Sequence, residues 1–393
     1  MAHTHQHACG RAVLRGTGSE RDVGLPTFAH LESQFPLRLL NPFAAGRTAT
    51  RTAAGVPGVP PKGVAVLYVV SFGGGLVSGD EIMLEIDVGE GTRLVMLTQG
   101  NTKVYRERRG GDPFASVLRS SGPGPPSRQF SRYIVRPNAT LLLLPDPVTC
   151  FARSRYEQTQ LIDLRCAETS SLVLLDWFNS GRLAADGPRD PSDADRIPEL
   201  WHFYLYHSRN EVRVAGNDLA RDRVYLEQEL PETLVPGEIT DIAHRCEPYR
   251  CYALLLLYGP ECAPLITALQ REFHAIQQRQ PLLRSGGARV NVLTDDVLWG
   301  LSVLTGGGGI GGSGDGGGDA AGNAGGTPDT PGGAATPSTS PTTGAPPPPA
   351  TPVPPVVVRI AGVDVSAVRT FLHVRLQPLC VLVGDDMYRM VMG

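Results

Sequence analysis

The sequence predicts a mainly β fold in which short strands lie in layers, with a small helical subdomain. Two observations support this prediction. Short runs of apolar, β-branched and aromatic residues recur along the chain, separated by Gly, Pro, Asn and Asp, which favour turns. Apolar residues often occupy every second position of such a run, as in Glu81–Val88, which is typical of a strand with one buried face.

The predicted elements follow in chain order, beginning with a short strand near Ala12–Leu14. The further predicted strands are Val64–Ser71, Glu81–Val88, Thr92–Thr98, Gln129–Val135, Thr140–Leu144, Tyr156–Leu164, Ser171–Asp176, Trp201–Tyr206, Val212–Val214, Arg223–Leu226, Tyr252–Tyr258, Val290–Leu293 and Val356–Ile360. Two segments have the apolar spacing of a helix, and a third, shorter segment ends at a glycine run, as a short helix would. These predicted helices are Pro264–Gln280, Leu298–Leu304 and Asp364–Leu376.

Composition divides the chain into four parts. Residues 1–30 lack clear periodicity and are predicted to form a flexible N-terminal arm, whereas residues 31–304 carry most of the strand signals and form a β domain. Residues 305–355 consist almost entirely of Gly, Pro, Ala, Thr, Ser and Asp, and cannot bury enough apolar area to offset the entropy of ordering them. We expect a disordered insert there. Residues 356–393 are too few to build a core alone and are expected to pack on the β domain as a strand and a helix.

Charge and hydropathy argue against several classes of protein. The chain carries 36 Lys and Arg against 39 Asp and Glu, a net charge of -3, which gives no electrostatic reason to expect a nucleic acid partner. Its longest apolar runs, such as Leu141–Leu144, are far shorter than the roughly 20 residues that span a bilayer. The seven cysteines form no Cys-x-x-Cys pair, and the first ten residues contain no apolar signal region. We therefore expect a cytoplasmic protein with reduced thiols and no membrane partner.

The glycine run Gly73, Gly74 and Gly75 follows a predicted strand and suggests a phosphate-binding loop. Such a loop needs Lys followed by Ser or Thr where this chain has Asp80 and Glu81, and two carboxylates repel a phosphate. We therefore interpret the glycines as a backbone turn, since glycine adopts positive φ angles without strain.

Two other functions remain open from the residues alone. Imidazole and thiol donors suited to nickel occur at His3, His5, His7 and Cys9, so the N-terminal arm could serve a nickel-buffering protein, although a solvated tail explains the same pattern. An all-β hydrolase with dispersed catalytic residues is the second alternative, because such residues are recognised by geometry and not by spacing. His202, beside an apolar strand, is interpreted as a hydrogen-bonded histidine.

Four blocks of sequence resemble, in the same order, signature segments of one known family. The first two are Tyr68–Asp80 (YVVSFGGGLVSGD) and Leu97–Tyr105 (LTQGNTKVY). The third is Leu142–Val148 (LLLPDPV), and the fourth is Asp176–Arg182 (DWFNSGR). On these blocks the chain resembles the UreD (UreH) family of urease accessory proteins, and its eukaryotic, fungal-like members in particular. The C-terminal part follows the family pattern only loosely.

This resemblance implies a non-catalytic scaffold that helps to load nickel into urease. Its expected partners are apo-urease, a UreF-like accessory protein and, through the latter, a UreG-like GTPase. No cofactor is expected to be bound permanently, and Ni²⁺ is expected in transit through an internal tunnel. The fold that the resemblance implies is a helical stack of short strands with a small helical part.

Oxygen-bearing side chains in the four blocks suit such a transfer. Weak oxygen ligands release a divalent cation, whereas clustered thiolates or imidazoles retain it. The candidates for transient Ni²⁺ contact are Asp80, Asp146 and Asp176, with His3, His5 and His7 as weaker ones. Lys103 and Arg182 are available as partners for Asp146 and Asp176, because an unpaired buried charge is costly. The other candidate tunnel or signature residues are Thr98, Gln99, Thr102 and Ser180.

Overall fold

The computed structural model describes residues 7–16, 26–42, 63–106, 124–182, 199–230, 239–284, 296–304 and 353–392. The strands among them are β1 (His7–Gly16), β2 (Pro26–Ser33), β3 (Leu37–Leu40), β4 (Val64–Ser71), β5 (Gly75–Leu76), β6 (Glu81–Val88), β7 (Arg93–Thr98), β8 (Thr102–Val104), β9 (Ser127–Val135), β10 (Thr140–Leu143), β11 (Val148–Cys150), β12 (Arg155–Leu164), β13 (Ser171–Asn179), β14 (Leu205–Val214), β15 (Asn217–Glu227), β16 (Cys251–Tyr258), β17 (Val297–Val303) and β18 (Val356–Gly362). The α-helices are α1 (Asp241–Cys246), α2 (Ala263–Arg284), α3 (Val365–Arg375), α4 (Cys380–Val383) and α5 (Asp385–Met392). The prediction of a mainly β protein is confirmed.

These strands form two mixed sheets. The first has the order β15-β14-β12-β9-β6-β1-β2, and its five inner strands run parallel to one another. The second has the order β17-β18-β16-β13-β10-β7-β4-β3, with a parallel centre from β13 to β4. From β6 to β14 the long parallel strands alternate between the sheets, so each connection carries the chain from one layer to the other and the chain winds as a flattened coil.

Two hydrophobic cores follow from this layering. The first lies between the sheets, and the second lies between the second sheet and the helices. Strand β13 borders both cores: Leu174 contributes to the first and Leu175 to the second, and every residue of the strand is buried. Strands covered on both faces are expected to be apolar throughout, which makes a charged residue in β13 conspicuous.

The N-terminal segment differs from the flexible arm that we predicted for residues 1–30. Residues 7–16 form β1, which pairs in parallel with β6 along most of its length, and residues 26–33 form the edge strand β2. The inward positions of β1 are Ala8, Gly10, Ala12 and Leu14. Three of them are small, so the alternation that marks a strand was weak in the sequence.

The C-terminal elements confirm some predictions and correct one. Helices α2 and α3 confirm the two longer predicted helices. Leu298–Leu304, predicted as a helix, lies instead almost wholly in β17, which pairs antiparallel with β18. Periodicity alone does not separate helix from strand in so short an apolar run. The predicted strand Val290–Leu293 and nearly all of the insert at 305–355 lie outside the described residues.

Candidate functional site

Asp176 of β13 lies between the two sheets, where neutral hydrogen-bond donors surround its carboxylate. It is only 9% exposed. Its Oδ1 accepts a hydrogen bond from Gln158 Nε2 (3.1 Å), and its Oδ2 accepts from Ser208 Oγ (2.6 Å) and Asn210 Nδ2 (2.7 Å). In the part of the chain that the structure describes, no cation forms an ion pair with this carboxylate. Arg182, an available partner for this carboxylate, instead binds Glu199 (2.9 Å).

The polar interior around Asp176 continues through side chains of β9, β12 and β14. Asn210 Oδ1 accepts a hydrogen bond from Gln160 Nε2 (2.9 Å), whose Oε1 accepts from the Tyr133 hydroxyl (3.4 Å). The Tyr156 hydroxyl donates to Gln158 Oε1 (2.9 Å). Amide and hydroxyl groups therefore replace apolar packing along this part of the first core. The sequence analysis singled out Asp176 but none of these partners.

Burial raises the pKa of Asp176 above its ordinary value, while the hydrogen bonds from Ser208, Asn210 and Gln158 oppose the rise. Burial also raises the pKa values of the Tyr133 and Tyr156 phenols, which therefore remain donors at neutral pH. A carboxylate in this position lacks the positive charge that usually accompanies a buried anion. The binding of a cation beside it would therefore stabilise this carboxylate.

The stability of the chain should fall as pH rises through the pKa of Asp176. A folded-state pKa above 3.8 means that the folded chain holds a proton that the unfolded chain releases, so this stabilisation is present at low pH and is lost as pH rises. The urea midpoint of Asp176→Asn, compared with that of the unsubstituted chain, should therefore rise as the pH is raised from about 4 to about 8. A difference that stays constant with pH would contradict the raised pKa.

Three signature residues, Lys103, Ser180 and Arg182, line a cleft of about 620 Å³ at the end of β13. The Phe151 ring forms part of its wall: the Tyr105 ring meets it edge-on at 5.4 Å, and the Arg182 guanidinium lies 5.0 Å from its centroid. Asn179 and Thr149 are joined by a hydrogen bond of 3.0 Å on the same wall. These contacts join the aromatic and the polar side chains of the cleft wall.

Asp146, Thr98 and Gln99 line a different hollow, of about 270 Å³, on the helical side of the second sheet. Asp146 Oδ1 accepts a hydrogen bond from Arg369 Nη2 (2.7 Å), and its backbone N–H donates to Thr98 Oγ1 (2.8 Å). The Arg369 guanidinium also lies 5.5 Å from the Trp177 ring centroid. The predicted candidates Asp146 and Asp176 therefore contact different layers of the molecule, and an arginine from α3 already neutralises Asp146.

Asp80 and the glycine run serve the backbone. Asp80 Oδ2 accepts a hydrogen bond from the Val77 N–H (2.8 Å), which closes the turn before β6. Gly73 and Gly74 have φ angles of 87° and 74°, as expected for a glycine turn. Gly75 lies in β5 beside β8, the strand of Thr102 and Lys103, and Thr102 donates its N–H to Pro147 O (3.2 Å).

Replacing Gly75 with alanine should destabilise the chain by about 1–3 kcal/mol, the usual cost of overpacking. A Cβ at this position would lie 2.2 Å from the carbonyl oxygen of Lys103, and a backbone atom cannot move aside cheaply. Gly300 in β17 is the matched control, because a Cβ there meets nothing within 4 Å. Gly300→Ala should change the free energy of unfolding by no more than ~0.5 kcal/mol. Equal losses in urea titrations would contradict the steric account.

Several buried polar atoms without a partner among the described residues lie in the segment just before β14, where we had predicted a strand from Trp201. They are Glu199 Oε2, Trp201 Nε1, both ring nitrogens of His202 and, beside this segment, Ser154 Oγ. His202 is 7% exposed, and neither ring nitrogen has a protein hydrogen-bond partner among the described residues, so its interpretation as a hydrogen-bonded histidine stays a prediction. Glu199 pairs with Arg182, and the backbone N–H of Trp201 donates to the backbone oxygen of Ser180. Both Arg182 and Ser180 line the cleft, so these buried atoms lie behind its wall. Buried polar groups of this kind usually meet an ordered water or an ion.

The histidine cluster predicted near the N-terminus is not formed in the described residues. His7 Nδ1 lies 3.0 Å from Glu81 Oε2 on the outer face of the first sheet, and Cys9 is exposed on the same strand. His3 and His5 lie outside the described residues. Across the described ranges, no three His, Cys, Asp or Glu side chains are grouped closely enough to hold a metal ion.

Comparison with known proteins decides the family. The model of a family described as UreD urease accessory protein matches residues 10–311. The chain belongs to the UreD family. It is 36% identical over 246 residues to Urease accessory protein 4 of Cryptococcus neoformans, an alignment that covers 62% of this chain and 69% of that protein. It is 31% identical over 281 residues to Urease accessory protein D of Oryza sativa subsp. indica (70% and 76% covered), and 34% identical over 297 residues to Urease accessory protein UreD of Sorangium cellulosum (72% and 76%).

As a UreD family member, the chain is an accessory protein of urease maturation and not an enzyme. The hydrolase alternative is therefore discarded. The matched residues contain Asp176, the cleft and the Glu199–His202 segment, whereas β18 and helices α3 to α5 lie beyond them. In this UreD protein those later elements complete the second core and supply Arg369 to Asp146. No helix within the described ranges is both long and apolar enough to cross a membrane.

Proposed function

We propose that this chain is the scaffold of a cytoplasmic nickel-delivery complex on apo-urease, and that Ni²⁺ passes through its polar interior. Its partners in this proposal are a UreF-like accessory protein, which recruits a UreG-like GTPase, and apo-urease itself. The single observation that carries the proposal is the carboxylate of Asp176, which lies between two sheets among amide and hydroxyl groups and has no paired cation among the described residues.

The chemistry of this interior supports passage in preference to storage. Ni²⁺ at Asp176 would meet one carboxylate together with oxygens of Gln158, Ser208 and Asn210, whose amides can rotate to present a carbonyl oxygen. Neutral oxygen ligands bind this ion more weakly than imidazole or thiolate, so the ion can leave again. Since burial raises the pKa of Asp176, a cation bound beside it would favour the ionised carboxylate.

Glu199 and His202 are further candidates for transient contact, which the sequence analysis missed. Glu199 Oε2 and both His202 ring nitrogens are buried and have no hydrogen-bond partner in the part of the chain that the structure describes. Both nitrogens are available in the neutral imidazole, one as an acceptor and one as a donor. We therefore propose that the Glu199 carboxylate and the His202 imidazole, three positions apart along the chain, contact the metal ion together.

An activation assay tests this function. Apo-urease, the UreF-like protein, the UreG-like GTPase, GTP and Ni²⁺ should yield active urease only when the chain is added, and the chain should co-purify with the UreF-like protein. Deleting residues 1–6 removes His3 and His5 but leaves β1 whole, and this variant should activate urease as the full chain does. Full activation without the chain would refute the proposal, and loss of activation on deletion would favour the nickel-buffering alternative.

A further inference from the structure

The cleft at the end of β13 has a charge that differs from that of the chain as a whole. Lys103, Arg182 and Arg250 line it, against a single carboxylate, Asp364. The chain carries a net charge of -3, so this excess of positive charge is local. Positive potential concentrated in a concave surface attracts anions and repels Ni²⁺. We therefore expect the cleft to bind a different kind of ligand from the interior around Asp176.

Two of its cations are not neutralised. Arg182 is paired with Glu199, but within the described ranges no carboxylate lies at ion-pair distance from Lys103 or Arg250. Asp364 is the one carboxylate among the described residues of the lining, and its Oδ1 accepts the Ala367 N–H (2.7 Å) as the N-cap of α3, so it offsets at most one of the two cations. Lys103 is exposed and Arg250 is half-buried, so both are accessible from the cleft.

The remaining lining is suited to a peptide carrying carboxylates. Asn101 and Asn179 both donate to Thr149 Oγ1, at 3.1 and 3.0 Å, which fixes the polar wall, and Phe151 supplies an apolar surface between Tyr105 and Arg182. Its volume of about 620 Å³ is in the range of clefts that bind extended organic ligands, whereas a single small anion would fill only a small part of it.

We propose that this cleft binds an acidic segment of a partner protein, with Lys103 and Arg250 as the carboxylate-binding groups. Charged hydrogen bonds between carboxylates and Lys or Arg are stronger than neutral ones and fix the register of a bound segment. The aromatic wall contacts the apolar part of the segment. This inference does not depend on nickel passage, so the activation assay can succeed while it fails.

The test uses the full chain and two labelled peptides of equal length, hexaglutamate and hexaglutamine, with binding followed by fluorescence anisotropy at one fixed ionic strength. The chain should bind hexaglutamate and not hexaglutamine. Lys103→Met combined with Arg250→Gln should weaken hexaglutamate binding by about tenfold or more. Lys103→Met alone should weaken this binding severalfold. Because Lys103 is exposed, this single variant is expected to fold even if the double variant does not.

The matched control removes two positive charges outside the cleft, at Arg221 of β15 and Arg271 of α2, as Arg221→Gln with Arg271→Gln. Its affinity for hexaglutamate should stay within about twofold of that of the unsubstituted chain. Equal losses in the control and cleft variants would overturn the proposal, since binding would then follow net charge. Displacement of the peptide by inorganic phosphate at an equal concentration would also overturn it, in favour of a small-anion site.

Discussion

Replacing Asp176 with asparagine should lower the urease activation that the chain supports by roughly 10- to 100-fold, the range found when groups around a metal-binding position are altered. Asparagine has nearly the same shape and keeps a carbonyl oxygen for Ser208 and Asn210, so the loss reflects the missing negative charge. The fold should survive, because replacing a buried carboxylate by a neutral group often leaves stability unchanged or improved. The measurement is specific urease activity after activation, together with the melting temperature of each variant.

Asp87→Asn is the matched control for this substitution. Asp87 is also buried, but Arg15 Nη2 and Arg136 Nε already neutralise it, at 2.9 and 2.8 Å. Removing that carboxylate should leave activation within about twofold of the unsubstituted level. If the two variants lose activation in parallel with their melting temperatures, Asp176 has a structural role and the nickel path lies elsewhere.

Phe178→Ala should lower the free energy of unfolding by about 3–5 kcal/mol, the usual cost of truncating a buried aromatic residue. The Phe178 ring is 5% exposed, and its centroid lies 4.1 Å from that of Tyr206, 5.8 Å from Tyr252 and 6.4 Å from Trp201. It therefore joins β13 to the first sheet and to the segment that carries Glu199 and His202. Urea unfolding followed by tryptophan fluorescence gives the measurement.

The same substitution at Phe35 is the control, because that ring is 69% exposed and stacks on Phe72, which is itself 46% exposed. Phe35→Ala should cost no more than about 1 kcal/mol. Similar losses at both positions would show that the aromatic cluster around Phe178 contributes little to stability.

Part of this interior was predictable from alternation along two strands. In β12 the buried positions are Tyr156, Gln158, Gln160, Ile162 and Leu164, so two glutamines share the inward face with aliphatic residues. Strand β14 repeats the pattern with Ser208 and Asn210. Polar residues on an inward face indicate a polar interior. Asp176 was predicted because it belongs to a signature block, and this test was not applied to its neighbours.

Other features depended on contacts between distant parts of the chain. The pairing of Arg369 with Asp146 joins residues more than 200 positions apart, and nothing local in the sequence predicts it. The pairing of Arg182 with Glu199 instead of Asp176 follows from the direction of the β13 side chains: Asp176 faces the first sheet, whereas Arg182 lies beyond the end of the strand. The residues of β1 likewise alternate only weakly, and they form a strand because they pair with β6.

The rate at which Ni²⁺ reaches urease within the assembled complex tests the central claim most directly. Complexes of apo-urease and the accessory proteins, purified with equal stoichiometry, would receive radioactive Ni²⁺, and the metal retained by urease would be counted over time. With Asp176→Asn in place of the unsubstituted chain, we expect incorporation to slow by roughly tenfold or more while the partners remain bound. Incorporation at an unchanged rate in that variant would contradict the passage of nickel through this carboxylate and leave the chain a docking platform.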